Sequence, residues 1–137
     1  QYRTPAQLAT LKDCQRAFRR AIRAGNAAEG ALCNERFHAI IGGMADNEFL
    51  FPSLRRLLID HARIGMTFYD PRQQDMASAT SIAADQHDQF IELISLGEAQ
   101  AAADLAIAHW ELSRSRIERF VIPAGMNFAL GRLPAAE

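Results

Sequence analysis

The chain has 137 residues and a formal net charge of −1, with 49% hydrophobic and 23% charged residues. This length suits one compact domain, residues 1–137, with its own core. The balanced charge gives no general attraction to nucleic acid phosphates, and no apolar run approaches the roughly 18 residues of a membrane span. No signal peptide is recognisable, so we expect a cytoplasmic protein. Cys14 and Cys33 belong to no paired motif, which favours two reduced thiols.

The first two predicted helices have clear start and stop signals. Thr4 followed by Pro5 is typical of a helix start, with a capping hydroxyl before proline at the first helical position. Apolar residues then recur at helical spacing. Gly25 ends this helix and Asn26 can cap the second, which is predicted to run to about Met44.

The second half of the chain predicts three more helices. A third helix starts at Asp46-Asn47 and stops at Tyr69-Asp70-Pro71, because the residue before proline avoids helical angles. A fourth runs from about Asp75 to Leu96, where Gly97 ends it. A fifth starts near Glu98 and reaches about Val121.

No segment alternates polar and apolar residues in the manner of a strand. The tail from Ala124 to Glu137 has no clear period, and we expect it to be partly loose. The sequence therefore predicts an all-α protein, an antiparallel bundle of about five or more helices joined by short loops.

Three histidines and one asparagine fall on apolar faces of these helices. Asn34 and His38 lie four residues apart and therefore share one face of the second helix. His87 and His109 lie on the apolar stripes of the fourth and fifth helices. Burying several imidazoles is costly unless each has a partner, and one shared cation would serve them all. Spacing alone does not show that these side chains meet at one point. The alternative is therefore a set of separate core histidines, each satisfied by ordinary hydrogen bonds.

Polar residues of the third helix are candidates for contacts with a small ligand. His61 lies between Leu58 and Ile64, and we expect it to be partly exposed or to line a pocket, and not to bind a metal. Arg63 and Arg55 could each clamp a carboxylate through two parallel hydrogen bonds. The plainer interpretation of either arginine is a solvated helix face.

An ordered set of short segments connects the chain to a known family. Asn34-Glu35-Arg36-Phe37-His38, followed by Asp46-Asn47-Glu48-Phe49-Leu50, resembles the pattern D/N-x-x-F-H…x-N-x-x-L. Residues 85–98 are similar to the stretch E-H-x-x-I…A-I-x-x-G-D. Residues 102–109 and 20–26 resemble the helix that closes the site and the helix end that precedes the first ligands. Together these segments resemble the FCD domain, the C-terminal domain of GntR-family transcription regulators of the FadR subfamily.

The resemblance implies a metal centre. In the family, an acidic or amide residue and three histidines bind one divalent metal, and a small organic acid often completes the coordination. For this sequence, the resemblance implies that the metal ligands are Asn34, His38, His87 and His109. It also implies that the metal is zinc or nickel and that the effector is a small organic acid. Asn34 stands where aspartate is common. Its amide is uncharged, so the site would carry one more positive charge and favour an anionic effector.

The resemblance also implies a biological role. The chain is expected to be the effector-binding domain of a bacterial regulator, not an enzyme, and to form a homodimer. It would contact DNA only through an N-terminal winged helix-turn-helix domain, which together with the family's first long helix is expected to be missing here. Two alternatives stay open: a metal-dependent enzyme acting on a small carboxylate, for which no general base has suitable spacing, and a purely structural helical bundle.

Overall fold

A computed structural model describes residues 3–68 and 74–121, and five α-helices account for nearly all of these residues. The helices are α1 (Pro5–Arg23), α2 (Ala27–Met44), α3 (Leu50–Phe68), α4 (Gln74–Leu96) and α5 (Ala99–Val121). The all-α prediction is confirmed, and the described ranges contain no strand. The predicted stop at residues 69–71 and the predicted loose tail lie outside the described residues.

The helix starts follow the capping chemistry of the sequence. Thr4 accepts a hydrogen bond from the backbone N–H of Gln7 at 3.2 Å, and the Gln7 side chain accepts one from the Thr4 N–H at 2.8 Å. Asn26 caps α2 in a similar way. Asn47 caps α3, because its side chain accepts from the backbone N–H groups of Phe49 and Leu50, but the two residues after it form a turn and not yet regular helix. The helix therefore begins three residues later than predicted, at Leu50.

Two glycines close helices in the left-handed region, as their positions predicted. Gly25 follows α1 with φ of 64°, and Gly97 follows α4 with φ of 82°. Gly42 has a different role, since a Cβ there would overlap the Leu54 side chain. The absence of a side chain thus allows α2 and α3 to pack closely, and these helices do pack along one another.

The core forms where α1 contacts both α2 and α4. Its largest buried apolar side chains are Leu11, Phe18, Phe37, Phe90 and Ile91. α5 packs against α4, and Ile64 of α3 packs against the buried Ile117 of α5. The apolar spacing of α5 also predicts that Ala106 faces inward beside His109, and this prediction is wrong, because Ala106 is exposed. None of the described helices is both long and apolar enough to cross a membrane.

Candidate metal centre

His38 of α2, His87 of α4 and His109 of α5 meet inside the bundle. The ring centroids of His87 and His109 are 5.0 Å apart, those of His38 and His109 are also 5.0 Å apart, and those of His38 and His87 are 5.3 Å apart. Each ring offers one nitrogen, and the three nitrogens lie within 4.8 Å of one another. Three separate helices therefore bring imidazole donors to one point, close enough together to bind a metal ion.

Two of these nitrogens are already at the spacing of metal ligands. His38 Nε2 and His109 Nε2 are 3.2 Å apart. Two imidazole nitrogens bound to one tetrahedral zinc ion at about 2.0–2.1 Å would stand roughly 3.3 Å apart. The existing separation needs almost no adjustment to accept a small divalent cation between the two rings.

The ring of His87 is held from the opposite side by Gln15 of α1. Gln15 Nε2 donates to the backbone oxygen of Ala84 at 2.7 Å, which turns the amide oxygen toward His87. His87 Nδ1 lies 3.0 Å from that oxygen and donates its N–H to it. This hydrogen bond fixes the tautomer that carries hydrogen on Nδ1 and leaves the Nε2 lone pair free. The Phe37 ring stacks on His87 with centroids 4.1 Å apart and holds its plane.

His87 Nε2 is the one buried side-chain polar atom without a hydrogen-bond partner among the described residues. The whole side chain is inaccessible to solvent. An unsatisfied buried acceptor costs about 1–3 kcal/mol, so native structures rarely keep one without a reason. A cation between the three rings would satisfy this atom, and this fit favours a metal site over a simple cluster of core histidines.

His109 is oriented by a second glutamine. Gln86 Oε1 lies 2.8 Å from His109 Nδ1 and accepts its hydrogen bond, which directs Nε2 toward His38. Gln86 belongs to α4 and His109 to α5, so this contact also joins two of the three helices that carry the clustered histidines. Hydrogen bonds of this kind are typical of metal-binding histidines, whose remote N–H usually has a fixed acceptor.

Burial keeps all three imidazoles in the neutral form that binds metals. Burial, assisted by the neighbouring His109 and His61, lowers the pKa of His38 from 6.5 to about 3. Burial and the nearby His61 lower the pKa of His109 to about 4. The pKa of His87 also falls well below 6.5, again mainly through burial. A neutral ring needs no deprotonation before it coordinates, so the cluster is ready for a cation at neutral pH.

An ionic cluster ties α1 to α4 beside His87. The Arg19 guanidinium donates to Asp85 Oδ1 at 2.8 Å, to the Asp88 carboxylate and to the Ala84 backbone oxygen at 3.2 Å. Both carboxylates are exposed, with more than half of each side chain in solvent. These contacts fix the turn of α4 from which His87 projects.

The other predicted site residues differ in their placement. Asn34 is buried, with 3% of its surface exposed, one helical turn before His38 on α2. His61 is half-buried on α3 and close enough to lower the pKa of both His38 and His109. Arg55 and Arg63 are exposed. The Arg63 side chain is 81% exposed and lies 3.9 Å from Asp60, so the structure does not gather the arginines with the histidines.

The roles of Gln15 and Gln86 were not predicted from the sequence. Gln15 had a weak signal, because it is a polar residue beside the buried stripe of Leu11, Cys14 and Phe18 on α1. Gln86 had no such signal, because it is next to His87 in the sequence, whereas the histidine that it contacts is His109 on α5. Polar residues on inner helix faces are thus the places to search for hydrogen-bond partners of buried histidines.

Comparison with known protein families matches residues 1–112 to the FCD domain. No curated protein and no solved structure matches the chain. The matched range holds α1 to α4 and the part of α5 that carries His109. It therefore includes all three clustered histidines and their glutamine partners. The chain belongs to the FCD domain family, the C-terminal effector-binding domains of GntR-type transcription regulators, and is a ligand-sensing regulatory domain.

Proposed function

We propose that this domain senses a small organic acid through one divalent metal ion held by Asn34, His38, His87 and His109. The observation that carries the proposal is the buried, unpartnered Nε2 of His87, which faces a cluster of two further imidazoles. The family membership supports a sensor, and the donor set supports a transition metal, because neutral imidazole suits zinc and nickel.

Each part of the site would have a distinct task. His38, His87 and His109 would hold the cation, and the amide oxygen of Asn34, one turn before His38, would complete the protein donors. Gln15 and Gln86 would keep two of the rings in the correct tautomer. When bound, the cation would supply a positive anchor for a carboxylate group.

His61 is the best placed of the remaining candidates for effector contact. It is half-buried on α3 and interacts electrostatically with two members of the cluster. Arg63 and Arg55 could take part only if α3 or their side chains moved, since both now face solvent. His61 therefore becomes the first choice for testing effector recognition.

The regulatory output would come from helix packing. The three histidines are supplied by α2, α4 and α5, so a ligand that changes the coordination acts on three helices together. The effector can change the DNA affinity only if the domain has two packing states and the effector makes different contacts in each of them. We propose that this domain acts as a homodimer of the FadR subfamily and reaches DNA through an attached winged helix-turn-helix domain.

Calorimetric titration of chelator-treated protein with zinc and with nickel tests the proposal. We expect one ion per chain, and X-ray absorption at the metal edge should show three imidazole ligands. The metal-loaded protein is then titrated with a panel of small organic acids. A protein that binds neither ion at one site per chain would refute the metal centre, and metal-loaded protein that binds no acid would refute the sensor.

Two histidine substitutions of the same kind provide the control. His109→Gln removes a proposed ligand and should abolish stoichiometric metal binding. His61→Gln changes a histidine that is not a proposed ligand, so metal binding should persist while acid binding weakens. Equal loss of metal binding in both variants would contradict the assignment of ligands.

A further inference from the structure

The donors that surround the proposed metal position are all uncharged. The three clustered rings would bind as neutral imidazoles, and the fourth proposed donor, the buried Asn34, would add an uncharged amide oxygen. The residues that accept hydrogen bonds from His87 and His109 are amides as well, Gln15 at 3.0 Å and Gln86 at 2.8 Å. Among the described residues, no aspartate or glutamate belongs to the histidine cluster.

The described ion pairs beside His87 do not compensate a cation. Arg19 is positive and approaches α4 beside His87. Asp85 precedes His87 by two residues and Asp88 follows it directly, but both are exposed and both are paired with Arg19. A divalent ion would therefore retain its full double positive charge next to a fully buried ring and the buried Asn34. Uncompensated charge at such a position is strongly disfavoured.

We propose that the uncharged donor set makes metal binding and anion binding cooperative, with Asn34 as the residue that sets this coupling. This inference rests on the proposed metal-dependent sensor. An anionic carboxylate supplies the negative charge that the protein withholds, so it raises the affinity for the metal. Linkage requires that the metal raises the affinity for the anion by the same factor. A neutral ligand of the same shape has no such effect.

The coupling also gives the domain a specific response. With little anion present, the metal would be held loosely and the His87 nitrogen would often lack a partner. With anion present, both ligands would be retained together. The occupancy of the metal centre would thus report the concentration of the acid, and the metal would not act as a permanently bound structural ion.

Acetate and acetamide are suitable probes because they are nearly identical in shape and differ in charge. The zinc affinity of the domain is measured by calorimetry in a non-coordinating buffer, alone and with a saturating amount of either probe. We expect acetate to raise the zinc affinity by about 5- to 150-fold, the usual range for coupled sites, and acetamide to leave it unchanged. Acetate affinity measured with and without zinc should change by the same factor.

Asn34→Asp tests the residue that carries the inference. The added carboxylate should raise the zinc affinity without acetate and reduce the acetate effect to less than about twofold, a loss of the coupling described above. Gln89→Glu is the matched control, because it adds the same charge at an exposed position of α4 near His87. This control should keep the acetate effect. Circular dichroism checks that both variants are folded, and the wild-type comparison of acetate with acetamide is decisive if one is not.

The outcomes separate this inference from the proposed function. Tight zinc binding that acetate does not change would overturn the coupling and leave the metal centre intact. Equal effects of acetate and acetamide would also overturn it, since charge would then have no role. A protein that binds no zinc under any of these conditions would instead refute the metal centre itself.

Discussion

Mild acid should destabilise the metal-free domain strongly, through its buried histidines. The pKa of His38 is lowered from 6.5 to about 3 and that of His109 to about 4. In the unfolded chain both rings take up protons below about pH 6.5, whereas in the folded domain they stay neutral until much lower pH. The unfolded state therefore binds more protons between these values. The stability contributed by the neutral rings is complete above pH 6.5, falls progressively below that pH, and is fully lost once the pH has fallen through 4 toward 3.

The magnitude follows from the size of the shifts. At about pH 5 each of the two rings is roughly 1.5 pH units below its unfolded pKa, which costs on the order of 2 kcal/mol per histidine. The two together cost about 4 kcal/mol, and the lowered pKa values of His87 and His61 act in the same direction. Because a domain typically has only about 5–15 kcal/mol of stability, a loss of this size should be easily measured.

Urea unfolding of chelator-treated protein at about pH 7.5 and about pH 5 measures this loss. The double variant His38→Gln and His109→Gln is the control, because it removes both titrating rings, and its drop in unfolding free energy should be smaller by about 4 kcal/mol. Saturating zinc, at about 100 times its dissociation constant, should add roughly 2.7 kcal/mol near neutral pH. A double variant that loses as much stability in acid as the wild type would show that these two rings do not cause the acid sensitivity.

Three further variants test the surroundings of the cluster. Gln86→Ala should lower the metal affinity about 10- to 100-fold by releasing the His109 ring. The control variant Gln89→Ala changes an exposed residue of the same helix and should leave the metal affinity unchanged. Calorimetry compares the two variants, and equal effects would exclude a specific role for Gln86. Combining Gln15→Leu with His87→Phe removes both partners of a buried hydrogen bond and the unpartnered Nε2. Metal binding should disappear while the metal-free protein, in a thermal melt, stays at least as stable as the wild type; a large fall in the melting temperature would contradict this. Arg19→Ala should cost about 1 kcal/mol in urea unfolding, because its carboxylate partners are exposed. A loss several times larger would show that the Ala84 contact dominates.

The helices could be predicted because their boundaries depend on local chemistry. Thr4-Pro5, Asn26, Gly25 and Gly97 act on the backbone within a few residues, so their effect is visible in the sequence. The start of α3 was predicted less accurately, because an asparagine such as Asn47 can cap a helix either immediately or after a short turn. In the structure it does so with two backbone N–H groups, from Phe49 and Leu50.

The candidate site was predictable only in its composition. Apolar spacing showed that His38, His87 and His109 face the core, and the structure shows that these rings meet. Spacing within one helix carries no information on the angle at which helices cross, so the contacts of Gln15 and Gln86 could not be inferred. The same limit explains why the predicted role of the two arginines in effector binding could not be judged from the sequence. Arg55 and Arg63 have the chemistry for binding a carboxylate, but their faces of α3 point to solvent.

A backbone oxygen of α4 beside the histidine cluster is shared by two side chains of α1. Gln15 and Arg19 both donate to the oxygen of Ala84, at 2.7 and 3.2 Å, one turn before His87. Any shift of His87 toward a cation must lengthen its bond to Gln15 or carry that amide along. Because Gln15 is nearly fully buried, it cannot exchange its partners for water without a cost. A change of coordination at His87 should therefore appear as a change in how α1 packs on α4, and a hydrogen-exchange comparison of the metal-free and metal-loaded protein should find altered protection in both helices. Protection changes confined to α5 would show that His87 does not move and that α1 takes no part in the response.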